Sequence, residues 1–295
     1  MIFLLITISF ILSVISTFGQ KKLQTIFPEN KLSYDLYTFL TGVLCTIEYL
    51  ILAGFRPTVN WRILLISFIY AVICRFGYVV TFRSLKYHGI ILNSAIVKIG
   101  SIVLPIIISA VFFSEVYGMG TIIGAICVML AALLPGIHML KEKSKIRAKI
   151  LWAVPVILIG LCSIMFQEIV VSFDGTDGYL SLLLFTNVFL ILIGVFPIMR
   201  RLSSERGKGT SAILTFKKAH YLLTIIITAA GCVSGYVSKS IIGLVGVIPS
   251  TVIVSALGPI VLITASLYFR EKLTLMHIIS AVLSIPAAIL PVILI

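Results

Sequence analysis

Charge is what this sequence has least of. Asp, Glu, Lys and Arg together make up 11% of its 295 residues, where a soluble globular chain carries about 25%. That shortage excludes a soluble enzyme. Low-complexity tracts are also absent, and the apolar mass is too large for a disordered chain. No HExxH, GxSxG or Walker A pattern occurs, so no catalytic constellation is recognisable, and ATP-driven transport is not expected without a partner subunit. The four histidines (His88, His138, His220, His277) are far apart in sequence. The five cysteines (Cys45, Cys74, Cys127, Cys162, Cys232) form neither a CxxC nor a Cys/His cluster. They read as small apolar fillers, not as disulfides or metal ligands. The chain is therefore expected to be no enzyme and to carry no cofactor or metal.

What is present is apolar. Sixty per cent of the residues are hydrophobic, and the mean hydropathy is +1.20. A bilayer core about 30 Å thick takes roughly 20 apolar residues per helix. Ten such runs can be marked, at about 2–19, 36–55, 62–82, 89–113, 117–140, 150–173, 178–199, 220–242, 246–269 and 275–295. Long unbroken runs exclude a β-barrel, which needs short alternating strands. The first run lacks a basic leading segment and a small-residue cleavage site, so it reads as a helix of the mature protein.

The two halves repeat. Phe112-Phe113-Ser114-Glu115 corresponds to Tyr268-Phe269-Arg270-Glu271, and Ser101 and Pro105 to Ser255 and Pro259. Cys74 with Gly77-Tyr78 corresponds to Cys232 with Gly235-Tyr236, and Ser16 and Gln20 to Ser163 and Gln167. The repeat unit holds five runs. Five is odd, so the second copy enters the membrane from the opposite side, an arrangement characteristic of secondary transporters. The fold class is thus an all-α polytopic membrane protein with ten transmembrane helices as two inverted five-helix repeats. Residues 1–140 form the first repeat, 141–149 a basic linker and 150–295 the second repeat.

The net charge of +13 would suggest nucleic acid in a soluble protein; here it marks loops. Those after the first, third, fifth, seventh and ninth runs hold 18 Lys and Arg, and the alternate loops hold two, Arg56 and Arg62. By the positive-inside rule the 18 face the cytoplasm of a plasma (inner) membrane, and both termini lie outside.

Ten helices in two inverted fives, with a Pro in the fourth and a Glu in the tight turn that follows, resemble the EamA-like branch of the drug/metabolite transporter superfamily. The segment Ser94 to Pro105, then Phe113-Ser-Glu115 and Gly118 through Gly124, carries the likeness, and Gly258-Pro259 to Glu271 repeats it. The resemblance covers nearly the whole chain. It implies a transport role without naming a substrate. Members of that group often have cytoplasmic termini, whereas the charge distribution here implies the reverse.

Ionisable groups inside a bilayer cost about 2.5–3.5 kcal/mol each at a helix centre, so each is a functional candidate. Lys98 lies about 14 Å into the fourth run and Arg75 about 10 Å into the third from the same face, at 1.5 Å per residue. Two cations at similar depth suit an anionic or zwitterionic substrate, or else pair with Glu48 and Glu168. Those carboxylates, nearer the outer side, are the alternative coupling groups or cation ligands. Asn93, Asn187, Gln167 and Gln20 could orient a polar substrate or bridge helices. Tyr78 and Tyr236, each after a glycine, could give the site an aromatic wall or mark close packing, and Ser101 sits where Pro105 frees a backbone carbonyl. Lys239 is expected to snorkel to the surface. Gly120 and Gly124, at GxxxG spacing, could pack within the chain or form a dimer face.

The expected activity is secondary transport of a small polar metabolite by alternating access at a midplane site, in a monomer or homodimer. The partners are that small molecule and the lipid bilayer, with no nucleic acid. Multidrug or cation efflux through Glu48 and Glu168 is one alternative. Flipping of a lipid-linked anionic substrate, drawn by the basic face, is another.

Overall fold

The computed structural model describes residues 1–26, 31–76, 99–112, 117–134, 146–204, 218–268 and 275–294. Among these residues there is no strand. The helices are α1 (Ile2–Ile26), α2 (Lys31–Leu52), α3 (61–76), a π-helical turn (Ile99–Val103) running into α4 (Leu104–Phe112), α5 (Met119–Leu133), α6 (Ile146–Ser204), α7 (Lys218–Val245), α8 (Val247–Tyr268) and α9 (Leu275–Ile293). Among the described residues, four stretches are long and apolar enough to cross a membrane: Ile2–Gly19, Ala153–Arg200, Tyr221–Val245 and Leu275–Ile293. Large apolar side chains such as Leu4, Phe68, Ile126, Leu192 and Val282 are exposed. A soluble monomer rarely tolerates so much apolar surface, whereas an integral membrane protein presents it to lipid.

Helix α6 is two arms. Gly175, with φ 68° and ψ −170°, breaks the helical path, a conformation open to glycine because it has no Cβ. The arms then lie side by side. Ile164 and Tyr179 share one buried cluster, and Val170 and Leu182 share another. A sharp reversal also separates α7 from α8 at Gly246, φ 88°.

The sequence explains the turn before α4. Pro105 has no N–H, so the carbonyl one turn earlier loses its helical donor. The chain answers with the wider π turn, and Gly100 there packs on the backbone of Ile157 in the first arm of α6. Its counterpart Pro259 lies inside α8, which stays α-helical.

Small residues set the closest seam. At Gly120 a Cβ would run into the Leu290 carbonyl, and at Gly124 it would stand 3.1 Å from the Ala287 carbonyl. Gly120 N–H donates to Leu294 O at 3.3 Å, and the Ser280 hydroxyl donates to Ala131 O. The GxxxG spacing is therefore used inside the chain, between α5 and α9. Helix α1 packs along α7 through Leu5, Ile6, Ile8 and Leu12 against Val237 and Ile241. Helix α3 packs on α6 through Ile63 and Ile66 against Val170 and Leu182.

One end of the bundle is tied by polar contacts. Asn60 accepts from the Ile63 N–H at 2.8 Å, capping α3, and its amide donates to Asp174 at 2.5 Å. Ser181 accepts from the Thr58 N–H at 2.8 Å. Lys239 pairs with Asp177 at 2.5 Å, and Arg62 lies 4.1 Å from the centre of the Phe173 ring.

Candidate functional site

Helices α2 and α7 run toward that same end and meet through an unusual set of side chains for an apolar bundle. Tyr49 lies over Gly235, with its hydroxyl 2.6 Å from where a glycine Cβ would stand. One turn earlier, Cys232 lies buried in the same cluster, with Cys45 packed against it. Tyr49 and Cys232 are both buried, within a cluster that also holds Tyr179 and Ile164. Glu48 reaches this seam from α2, and its Oε2 is buried with no hydrogen-bond partner. A carboxylate oxygen so placed is costly unless something else uses it.

A cavity of about 310 Å³ adjoins the same cluster. It is lined by Tyr117, Thr121, Glu168, Ile248, Pro249 and Pro291, among others. Tyr117 and Ile248 belong equally to the cluster around Tyr49 and Cys232, so cavity and seam share a wall. Among the described lining residues Glu168 is the one charged group. Chemically, the space offers a carboxylate, a hydroxyl and an aromatic ring in an apolar wall. That is the make-up of a small-molecule site with a few placed polar groups. Among the described residues, no group of three His, Cys, Asp or Glu could hold a metal ion.

The residues singled out from sequence fall into separate places. Glu48 stands in the α2–α7 seam and Glu168 in the cavity wall. Ser101 is half-buried in the π turn, where its backbone N would stand 3.1 Å from a Cβ at Gly160. Arg75 and Gln167 are half-buried on α3 and α6. The Asn187 amide donates to Leu183 O of its own helix at 2.8 Å. Tyr236 is 41% exposed and lies 5.8 Å from the Lys239 ammonium. Lys98, Asn93 and Tyr78 lie outside the described residues, as do Glu115 and Glu271. Tyr49, Tyr117 and Thr121 were not signalled by sequence. A tyrosine beside an intramembrane glutamate was the one available hint.

The chain is similar in fold to a solved structure titled "Crystal structure of protein", with a TM-score of 0.64 and 12% identity over 99% of this chain and 96% of that one. No family model and no curated protein matches the sequence.

Proposed function

We propose that this chain is a secondary transporter of a small polar metabolite, of the EamA-like drug/metabolite type, crossing a plasma (inner) membrane ten times with both termini outside. The observation that carries this reading is the Glu48 oxygen, buried without a partner in an interhelical seam beside a cavity walled by a second carboxylate, Glu168. A purely structural bundle has little use for two intramembrane carboxylates.

The packing supports an inverted repeat. A two-fold exchange of the halves turns the α1–α7 contact into the contact between the first arm of α6 and α3. The same exchange turns the α1–α8 contact into that between the first arm of α6 and the π turn. It also maps the α5–α9 pair, and the pair of α2 with the second arm, onto themselves. The basic loops then face the cytoplasm. Ion binding or exchange supplies the drive, and the two halves rock about the site.

Arg75 and Lys98 favour an anionic or zwitterionic substrate. A second reading, cation efflux, is favoured by Glu168 as the charged group of the cavity wall. A thermal-shift screen of purified protein against metabolites of each charge class separates the two, because a ligand raises apparent stability by mass action. Stabilisation by anions or zwitterions, lost in Lys98→Ala, supports the first. Stabilisation by organic cations, lost in Glu168→Gln, supports the second. A flat response across all classes, with uptake into proteoliposomes also absent, overturns the transport reading.

A further inference from the structure

At the tied end of the bundle, the connection between α2 and α3 is held by hydrogen bonds on one flank and is apolar on the other. We propose that residues 55–62 form an interfacial edge, seated in the phospholipid layer where headgroups meet acyl chains. Phe55 and Trp61 then lie among the glycerol and upper acyl groups, with Arg56 and Arg62 level with the phosphates.

The backbone fixes this edge. Helix α2 closes with the Gly54 N–H donating to Ile51 O at 2.9 Å and the Phe55 N–H donating to Leu50 O at 3.0 Å, the pair of bonds that ends a helix at a left-handed glycine. Gly54 has φ 60°, and Phe55 stays left-handed at φ 57°, a conformation that bulky residues rarely adopt. Beyond it the chain alternates. Thr58 and Asn60 are bonded inward, to Ser181 and to Asp174. Between and after them, Val59 and Trp61 are exposed. Trp61 is 74% exposed and Phe55 68%. Phe173, against the Arg62 guanidinium, is exposed as well. The apolar side chains are thus held outward by a bonded frame.

Three observations select lipid as the occupant. The apolar fringe continues into exposed apolar residues of the adjoining helices, Ile47 and Ile51 on α2 and Leu65, Phe68 and Ile69 on α3. Residues 53–62 carry two cations, Arg56 and Arg62, and no anion, which suits a layer of phosphates. Tryptophan concentrates at membrane–water boundaries, and arginine reaches from apolar surroundings to headgroups. The third is size. A stable interface with a second copy takes about 800 Å² from each partner, more than these few side chains supply. A bilayer edge has no such minimum. The proposal needs the bilayer and not the transport reading. It also gives the seam a depth scale: Glu48 precedes Leu52, the last residue of α2, by four residues, about 6 Å along the axis.

The test reads Trp61 fluorescence. Trp152 is the other tryptophan, so Trp152→Phe leaves one emitter. The full chain is reconstituted in phosphatidylcholine vesicles whose acyl chains carry bromine near the headgroup, at mid-chain or near the terminal methyl. Bromine quenches on contact, so the series reports depth. Bromine near the headgroup should remove roughly half of the emission of a ring at the interface, with smaller losses at each deeper position. The difference between the unmutated chain and Trp61→Phe gives the same reading, which guards against a Trp152→Phe chain that folds poorly. Strongest quenching at mid-chain or deeper puts the ring in the hydrocarbon core and overturns the proposal. Quenching by aqueous iodide with none from any brominated lipid leaves the edge in water. Quenching by neither puts protein over it, such as a second copy. Either result overturns it equally.

Discussion

The α5–α9 seam and the α2–α7 seam are both built on glycine, and they are put to opposite use. At α5–α9 the helices approach closely enough for Gly120 and Gly124 to meet carbonyls of Leu290 and Ala287, Gly120 N–H and the Ser280 hydroxyl donate to other carbonyls, and Ala131, Ala287 and Ala288 are buried nearby. At α2–α7 the room that Gly235 leaves is taken by a tyrosine, and around it stand two thiols and a carboxylate with one oxygen unsatisfied. Lipid tails are as apolar as leucine, so helices in a bilayer associate through packing and interhelical hydrogen bonds. The first seam meets that requirement completely. The second leaves a polar group over, and polar groups left over inside membranes are where transport chemistry is found.

Substitution distinguishes the two seams, and the largest effect is expected at the first. Gly120→Leu forces a branched side chain into the Leu290 backbone; overpacking of this kind costs about 1–3 kcal/mol and often more. The variant should lose its monodisperse peak in detergent size-exclusion chromatography, while a retained peak with unchanged melting would show the seam to be loose. Glu48→Gln should do the reverse, leaving thermal stability unchanged or slightly raised while lowering proteoliposome uptake at least tenfold. Equal loss of stability and uptake would move Glu48 to the structural side of the comparison. Gly235→Ala meets only the far end of a tyrosine, which can swing, so a melting change corresponding to about 1 kcal/mol is expected. A collapse like that of Gly120→Leu would make the two seams alike. Ser280→Ala removes one interhelical hydrogen bond, about 0.6 kcal/mol on average in membrane proteins. A tenfold larger loss in the same melting assay would mean that one bond holds the seam.

Much of the helix layout is legible along the chain. The reversal at Gly175 falls between two of the apolar runs, and that at Gly246 falls at the start of another. The seams are far less legible. A helix that is apolar all round gives no sign of which face meets which neighbour, so nothing in the spacing sets Tyr49 over Gly235. Asn187, a candidate for orienting a substrate or bridging helices, donates from its amide to a carbonyl of its own helix, a short-range choice always open to such a side chain. Lys239 was read as reaching for water. It does stand near an end of the bundle, but its ammonium finishes on Asp177, which is 78% exposed.

The double duty of Asn60 bears on how the protein is made. Its carbonyl oxygen caps α3 from three residues away, but its amide binds Asp174, 114 residues further along the chain. At about 5–20 residues per second of synthesis, α3 waits roughly 6–23 s for that second partner. The cap can hold the start of α3 alone during the delay. The bond to Asp174 closes only when the second half arrives, and it records that the two halves have met in the correct register.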